Sequence, residues 1–409
     1  MAESAAGTGL RSVLANRRFA LWLASEFSGI LGYSAWSISV LWLAYQISGT
    51  LLVSALVLLV QYGFYAITFI AGPFVDRLPD KRTVYLVTYP LEAVAAATVG
   101  VALATGHLTV PLLLGAVAVM ALLEDFWWTA SNTVPRILVG KDQVLRANGL
   151  ATASGSSGSL AGYSVGAALI IFVGVSGGAF LFAGLLAIAA LLVLPVSIPS
   201  PPAPASRLGS DFREGWGMLA KGPGRPLLQI GALFAVDGFF LGAPALLITL
   251  FSNRGFSDPS HAYGLLFTAY VVGAVAGGLT VSHTNPRHSL GRWMALSMVG
   301  EGAAVALAVL VVPQLLPSIA AWFAVGLASS VPPTLFYAYL QATTPPGAIG
   351  RVVSNMYLLP GIASAFGALA FGTFALGLSP GMLGYLVAVG LVGAGVAAGS
   401  VPVVRRMRF

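Results

Sequence analysis

Long apolar segments follow one another along almost the entire chain. They lie near residues 18–47, 52–73, 83–105, 109–133, 148–173, 177–197, 226–252, 261–282, 292–312, 316–340, 354–377 and 380–404. A helix of about 20 apolar residues spans the hydrocarbon core of a bilayer, whereas a barrel strand needs only about ten. The pattern therefore predicts an all-α polytopic membrane protein with twelve transmembrane helices.

Composition excludes a soluble protein and several kinds of chemistry. Of the 409 residues, 57% are hydrophobic and 8% are charged, whereas a soluble domain carries about 25% charged residues. The net charge is +7, and the basic residues lie in short loops between the apolar segments. That position indicates the orientation of a membrane protein and not binding to nucleic acid. The chain has no cysteine, which excludes disulfides and thiolate ligands. We expect no metal, no cofactor and no nucleic-acid partner.

Lysine and arginine residues concentrate in the loops on one side of the predicted membrane. Cytoplasmic loops carry an excess of these residues, so both termini are predicted to lie in the cytoplasm and the protein in the cell membrane. Only Arg254, after the seventh segment, falls on the other side. The predicted cytoplasmic set is Arg11, Arg17, Arg18, Arg77, Lys81, Arg82, Arg136, Lys141, Arg146, Arg207, Arg213, Lys221, Arg225, Arg287, Arg292, Arg351, Arg405, Arg406 and Arg408.

The sequence also indicates that the chain consists of two related halves. A polar, proline-rich stretch starts at Ser197 with SIPSPPAPASRLGSDFREG, which is typical of a linker. We therefore predict six-helix bundles over residues 1–197 and 226–409, joined by a cytoplasmic linker over 198–225. Arg146 matches Arg351 at an offset of 205, and the loop from Gly72 matches the loop from Gly278 at 206. Such weak internal symmetry is expected of transporters built from repeats.

Several loops carry a family likeness. The stretch from Gly72 to Arg82, GPFVDRLPDKR, resembles the G-x-x-x-D-R-x-G-R-[KR] signature of the major facilitator superfamily, with Pro79 and Asp80 where Gly and Arg are usual. The segments NRRFALWLASEFSGILG, KDQVLRAN and QATTPPGAIGR are similar to the macrolide-efflux-like branch of its drug:proton antiporters. The resemblance implies two pseudo-symmetric six-helix bundles that rock about a central cavity lined mainly by helices 1, 4, 7 and 10.

The same resemblance implies a conformational gate at the cytoplasmic loops. Asp76, at a helix end, can accept hydrogen bonds from Arg77 or Arg82 or face the N-terminus of a neighbouring helix. The alternative is an ordinary solvated charge cluster that fixes topology. The gate residues implied by the two matched loops are Gly72, Asp76, Arg77, Arg82, Arg146 and Arg351.

Six acidic residues fall inside the apolar segments, where no lysine or arginine accompanies them. An ionised carboxylate at mid-bilayer costs ~2.5–3.5 kcal/mol on insertion scales. These groups must therefore be protonated, wetted by a cavity or neutralised by a ligand. A carboxyl group of this kind can bind and release a proton, and a cationic substrate can compete for it. The six are Glu26, Glu92, Glu124, Asp125, Asp237 and Glu301.

The resemblance divides these acids into two groups. Helices 1, 4 and 7 carry Glu26, Glu124, Asp125 and Asp237, which we predict to be proton- or substrate-binding residues. Glu92 and Glu301 lie on helices 3 and 9, which are usually peripheral, and are expected to bond to neighbouring helices. The branch usually carries an acid near Tyr33 on helix 1, and this sequence has none there.

Aromatic residues crowd the predicted cavity helices. Large apolar walls with a few acids suit amphiphilic or aromatic cations, through area burial and cation–π contact. The alternative is that these rings pack cores or face lipid at the membrane interfaces. The aromatic candidates for substrate contact are Tyr33, Trp36, Trp128, Phe336 and Tyr337.

Two motifs of enzymes are excluded. Gly162-Tyr-Ser164-Val-Gly166 matches a hydrolase nucleophile elbow, but that elbow needs a strand–turn–helix setting. Here Gly158, Gly162 and Gly166 form a small-residue ladder inside an apolar segment, which indicates helix packing. No lysine precedes Ser or Thr, so there is no P-loop and no built-in ATP drive. We predict a transporter and no enzyme.

The sequence thus favours a secondary transporter that exports small amphiphilic or cationic compounds in exchange for protons. Its expected partners are the lipid bilayer, a small-molecule substrate and protons, and we expect a monomer. An alternative is a carrier of the same family for a metabolite, siderophore or lysolipid, including an importer. A more remote alternative is a non-transporting membrane receptor or assembly partner.

Overall fold

The computed structural model describes residues 10–65, 71–172, 174–200, 225–284, 290–343 and 349–405, and the described part is built from α-helices. Within it, the only β-type pairing is a single bridge between Asp80 and Pro199. The helices are α1 Leu10–Leu14, α2 Arg17–Ser48, α3 Leu51–Tyr65, α4 Ala71–Asp76, α5 Arg82–Ala104, α6 Val110–Ser131, α7 Val134–Leu138, α8 Val144–Phe172, α9 Gly174–Val193, α10 Arg225–Phe240, α11 Ala243–Gly255, α12 Pro259–Thr284, α13 Leu290–Val311, α14 Leu315–Ser329, α15 Val331–Thr343, α16 Ile349–Phe374, α17 Pro380–Ser400 and α18 Pro402–Arg405.

Each predicted apolar segment coincides with one of these helices or with two consecutive ones. The seventh segment is divided into α10 and α11 near Gly242, and the tenth into α14 and α15 at Ser330. Among the described residues, nine helical stretches are long and apolar enough to cross a membrane, and two shorter apolar helices span Leu51–Phe64 and Leu358–Phe374. The prediction of an all-α polytopic membrane protein is confirmed.

Local signals in the sequence start and end several of these helices. Thr109 Oγ1 accepts a hydrogen bond from the Leu112 backbone N–H at the start of α6, and Ser379 Oγ accepts one from Met382 at the start of α17. A proline follows each cap in the first turn of the helix. Its lack of an N–H loses no hydrogen bond there, because the N–H groups of the first turn have no partner within the helix. Gly106 follows α5 with a φ of 74°, a conformation that glycine adopts freely.

The chain divides into two compact units. Unit 1 comprises Met1–Ser39, Thr68–Leu169 and Val173–Ser206, and unit 2 comprises Val40–Ile67, Ile170–Phe172 and Arg207–Phe409. Residues 40–67 join unit 2 because α3 packs against α16, where Ala55 and Leu52 lie against Gly372. The predicted bundles over 1–197 and 226–409 stay a prediction, and residues 201–224 of the predicted linker lie outside the described residues.

Glycines bring helices into backbone contact in the same way in both units. In unit 1, α8 lies against α2 because Gly162 and Gly166 face the carbonyl oxygens of Leu31 and Ala35. In unit 2, Gly367 of α16 faces the carbonyl oxygen of Phe239 in α10. A Cβ at these positions would overlap the facing backbone, so only glycine allows this approach. Gly162 and Gly367 are 205 residues apart, which is the offset of the predicted repeat.

Candidate functional site

Glu26 lies at the centre of a hydrogen-bonded network inside unit 1. Its side chain is buried, with 6% exposed, and Ser131 Oγ lies 2.6 Å from Glu26 Oε1. Tyr85 Oη lies 3.0 Å from Ser131 Oγ and accepts a hydrogen bond of 3.1 Å from the Trp22 indole N–H. Three helices, α2, α5 and α6, therefore bring their polar groups to one carboxyl group.

The Ser131 hydroxyl can serve Glu26 in both of its protonation states. Its single proton can go either to Glu26 or to the Trp127 carbonyl oxygen, which is 2.7 Å from Ser131 Oγ. When Glu26 is ionised, the hydroxyl donates to the carboxylate. When Glu26 carries a proton, the carboxyl group donates to Ser131 Oγ, and the hydroxyl donates to the carbonyl. This arrangement allows Glu26 to gain and lose a proton without leaving a group unpaired.

Glu92 has no such arrangement, although it is completely buried. Neither of its oxygens has a hydrogen-bond partner among the described residues, and the same holds for the Trp127 indole N–H. The two side chains make only a loose polar contact. The expectation that Glu92 bonds to a neighbouring helix is wrong for the described residues, because neither carboxyl oxygen has a hydrogen-bond partner among them.

Glu124 supplies the acid that the sequence lacks next to Tyr33. The two side chains interact electrostatically between α2 and α6, and Tyr163 of α8 lies within electrostatic range of the same carboxyl group. Asp125, the next residue, is buried and interacts electrostatically with Glu124. The acid that the family resemblance places near Tyr33 on helix 1 is therefore supplied by Glu124 from another helix, α6.

The two acids of unit 2 that fall inside apolar segments are also neighbours. Asp237 of α10 and Glu301 of α13 interact electrostatically, and Glu301 is buried with 4% exposed. Asp237 borders a small, largely apolar cavity with Leu233, Met294 and Met298. Glu301 was expected to be peripheral; instead, it lies beside the predicted binding residue Asp237.

The predicted gate loop is held by a different set of ion pairs from those expected. Asp76 pairs with Lys81, whose Nζ is 2.9 Å from Asp76 Oδ1, so the expected pairing with Arg77 or Arg82 is wrong. Lys81 is buried, whereas half of the Asp76 side chain is exposed. Arg82 instead donates to the Leu194 carbonyl oxygen at the end of α9.

Asp80, which replaces the arginine of the family motif, fastens this loop to the chain after α9. Its Oδ1 accepts hydrogen bonds from the backbone N–H groups of Arg82 (2.9 Å) and Ile198 (3.0 Å). The Lys81 N–H donates in return to the Ile198 carbonyl oxygen at 3.0 Å. The unusual acid therefore has a structural function within unit 1.

The other predicted residues lie in varied surroundings. Trp36 and Phe336 are buried in packed cores, where Trp36 stacks on Phe182 at 5.7 Å and Phe336 on Phe234 at 4.2 Å. Trp128 is 43% exposed. Gly72 has open space around it, and Arg77 and Arg146 are exposed. The side chains of Tyr337 and Arg351 lie outside the described part.

Sequence reasoning missed Tyr85, Tyr89 and Ser131, although a signal for the two tyrosines was present. Tyr85, Tyr89 and Glu92 are spaced i, i+4 and i+7 along α5, which places them on one helical face. That face is the buried one. The described acids and histidines contain no group of three or more that could hold a metal ion.

The site therefore consists of carboxyl groups among hydroxyl and aromatic groups, within helices of membrane-spanning character. Of the described ion pairs, none involves Glu26, Glu92, Glu124, Asp237 or Glu301. Carboxyl groups in such surroundings exchange protons or bind cations. The fold and the site define a multi-pass membrane transporter.

Comparison with known proteins identifies the family. The sequence profile of the Major Facilitator Superfamily matches residues 21–260, which is more than half of the chain. The chain belongs to the major facilitator superfamily, and it is a transporter and not an enzyme. No curated protein sequence matches the chain.

Solved structures share the fold at low sequence identity. The nucleoside transporter NupG is 13% identical, with a TM-score of 0.74 over 94% of this chain and 99% of that one. The POT family transporter PepTSo is 13% identical, with a TM-score of 0.72 over 94% and 97%. An auto-inhibited POT family peptide transporter is 13% identical, with a TM-score of 0.73 over 96% and 98%. These similarities extend across almost the whole chain.

Proposed function

We propose that this protein is a proton-coupled secondary transporter of the drug-efflux type, related to the macrolide-efflux-like branch. It exports small amphiphilic or cationic compounds across the cell membrane by alternating access. Protons, the substrate and the lipid bilayer are its partners, and a single chain carries out the cycle with both termini in the cytoplasm.

The observation that carries this proposal is the set of four acids in unit 1 within apolar helices. Glu26 is hydrogen-bonded to the Ser131 hydroxyl, and Glu124 lies within electrostatic range of the Tyr33 hydroxyl; neither acid forms an ion pair among the described residues. A lysine or arginine partner would lock a carboxylate in its charged form. Hydroxyl partners accommodate both forms, since a hydroxyl group is both donor and acceptor.

Substrate selectivity follows from the same surroundings. Glu124 is partly exposed and interacts electrostatically with Tyr33 and Tyr163. A carboxylate near aromatic rings suits a flat or quaternary cation, which gains ion pairing and cation–π contact together. Such a cation competes with a proton for Glu124, and this competition couples the two fluxes in opposite directions.

The test uses purified protein in liposomes that have an acidic interior and are diluted into neutral buffer. The probe is ethidium, which is permanently charged and cannot accumulate as a weak base. We expect ethidium uptake that collapses with the pH gradient and is absent from empty liposomes. Glu124→Gln and Glu26→Gln should each reduce it about a hundredfold, a typical loss for a proton-transfer group. Asp142→Asn, which neutralises an exposed acid, is the matched control and should transport like the wild type.

Two results would overturn the proposal. One is gradient-driven uptake that persists when Glu26, Glu124, Asp125 and Asp237 are all replaced by their amides. The other is uptake of a nutrient such as a nucleoside or a peptide under an acidic exterior, with no ethidium transport. That second result would identify an importer of metabolites, the kind of cargo named for the nucleoside transporter and the POT family structures.

A further inference from the structure

A cavity in unit 2 contains none of the residues of the proposed function. It has a volume of about 350 Å³, within the range of about 300–1,000 Å³ that holds small molecules. The link between α2 and α3, the end of α11 and the link between α16 and α17 surround it, through residues 49–51 and 375–379 with Leu250 and Arg254. No acidic side chain is among these lining residues, and Arg254 is the one that carries a charge.

The positive charge of Arg254 has no counter-ion among the described residues. None of the ion pairs in that part of the chain involves it. The nearest acid in the sequence, Asp258, is bound elsewhere, since its Oδ2 lies 2.7 Å from His261 Nδ1. Arg254 is also the basic residue that we predict to lie on the side opposite the cytoplasmic loops. Its charge is therefore available to an anion.

Tyr45 holds the guanidinium group of Arg254 in one orientation. Arg254 Nε donates a hydrogen bond of 3.2 Å to Tyr45 Oη, and Tyr45 is buried. In the adjacent pair, Gln46 Nε2 donates to Asn253 Oδ1 at 2.8 Å, so two contacts join the end of α2 to the end of α11. An arginine has five N–H donors, and the bond to Tyr45 uses one. The two terminal nitrogens remain, in the planar fork that binds phosphate through two hydrogen bonds.

The rest of the lining suits an amphiphile with an anionic head. Ser379 Oγ accepts a hydrogen bond from the Met382 N–H, so its own proton is available to a ligand. Thr50 is a second hydroxyl-bearing residue of the lining. Four of the ten lining residues are leucines, and Leu376 is 63% exposed. Phosphate oxygens match the arginine and the hydroxyl groups, and acyl carbons match the leucines.

The alternative is a solvated arginine that contributes only to membrane orientation. A side chain of that kind keeps its rotational freedom, because ordering a long side chain costs conformational entropy. Arg254 is instead ordered by a buried residue of another helix. A guanidinium group that is held beside a cavity and lacks an acid is the arrangement expected for recognition of an anion.

We propose that this cavity binds a phosphate group, to which the terminal nitrogens of Arg254 and the Ser379 hydroxyl donate hydrogen bonds. A lipid headgroup and a free phosphate ion share this chemistry, and the leucines favour the lipid. The site goes beyond the proposed function, because none of the predicted proton- or substrate-binding residues lines the cavity. It also stands if the protein transports compounds other than cations.

The experiment measures binding by the purified chain in dodecyl maltoside, a detergent without phosphate. Native mass spectrometry counts bound molecules of dioleoyl phosphatidylglycerol and of dioleoylglycerol, which has the same acyl chains and no phosphate. Equilibrium dialysis against radioactive inorganic phosphate measures binding of the free ion. Saturable binding of the phospholipid alone supports a lipid site, whereas saturable binding of inorganic phosphate supports a site for the free ion.

Three variants test the assignment to Arg254. Arg254→Gln removes a charge at an exposed position, where substitutions change stability little, and should weaken binding of the phosphate probe at least about tenfold. Tyr45→Phe keeps the charge but loses the hydrogen-bond acceptor, so binding should weaken about two- to tenfold. Arg292→Gln makes the same change of charge at an exposed residue of α13 that does not line the cavity. This matched control should bind like the wild type.

The proposal is overturned if Arg254→Gln keeps the wild-type affinity or if Arg292→Gln loses as much affinity as Arg254→Gln. It is also overturned if dioleoylglycerol binds as tightly as the phospholipid, or if neither the phospholipid nor inorganic phosphate binds. Wild-type binding in Tyr45→Phe would contradict the orienting function of Tyr45. None of these measurements depends on gradient-driven ethidium uptake, so this proposal and the proposed function fail independently.

Discussion

Ser131 Oγ lies 2.6 Å from Glu26 Oε1, and the two residues are on different helices of the same unit. The same hydroxyl oxygen lies 2.7 Å from the carbonyl oxygen of Trp127. One proton thus has two acceptors, and the choice between them depends on whether Glu26 is protonated. A serine at the last residue of α6 therefore supports the chemistry of an acid on α2.

We expect Ser131→Ala to impair coupling more than folding. The variant leaves ionised Glu26 without its donor, which costs about 1–3 kcal/mol, equivalent to about five- to 150-fold in the population of the ionised form. Gradient-driven ethidium uptake should fall by a factor in that range, whereas exchange of internal for external ethidium, which needs no net proton movement, should persist. Ser164→Ala is the control, because among the described residues the Ser164 hydroxyl bonds to Leu160 within α8. Equal losses in the two variants would contradict the assigned function of Ser131.

The apolar segments were enough to predict the membrane fold, because each helix must span the bilayer on its own hydrophobicity. The acids could be found in the same way, since a carboxyl group stands out in an apolar run. Their partners could not. The contact of Glu124 with Tyr33 and that of Glu26 with Ser131 join residues 91 and 105 positions apart, and helix rotation decides such contacts. Rotation depends on close approaches such as Gly162 on Leu31.

The Asp76–Lys81 ion pair should respond asymmetrically to mutation. Asp76→Asn leaves the ammonium group of Lys81, whose side chain is only 3% exposed, without its charged partner. Since the Asp76 side chain is half exposed, we expect a loss of only about 1–2 kcal/mol. Lys81→Met leaves a solvated carboxylate and should change stability by about 0.5 kcal/mol or less. Thermal unfolding in detergent measures the stability loss of each variant. A larger loss for Lys81→Met than for Asp76→Asn would contradict this prediction.

Gly162→Ala should destabilise the protein through backbone overlap. The added Cβ would meet the carbonyl oxygen of Leu31 and the side chain of Ser34, and overpacking typically costs about 1–3 kcal/mol. Gly115→Ala in α6, where a Cβ meets nothing within 4 Å, is the control and should be neutral or slightly stabilising. Unfolding midpoints in the same detergent compare the two. A neutral Gly162→Ala would mean that α8 and α2 do not approach this closely.

The proposed orientation can be tested because the chain has no native cysteine. We expect a single cysteine at Asp142, in the loop after α7, to react with a membrane-impermeant maleimide only in inverted vesicles. A cysteine at His107, between α5 and α6, should react only in intact cells. Both native residues are exposed. Reversed labelling of the pair would place the termini outside the cytoplasm.

Asp237 and Glu301 should behave as one unit in a double-mutant cycle. The two carboxyl groups repel each other when both are charged, so one proton between them relieves the repulsion. Asp237→Asn or Glu301→Gln alone should reduce gradient-driven ethidium uptake about tenfold. The double variant should be no worse than the more damaging single one, because neighbouring residues are not additive. If the uptake losses of the two single variants multiply in the double variant, the two acids act independently. If Glu301→Gln transports ethidium like the wild type, Glu301 has no part in coupling.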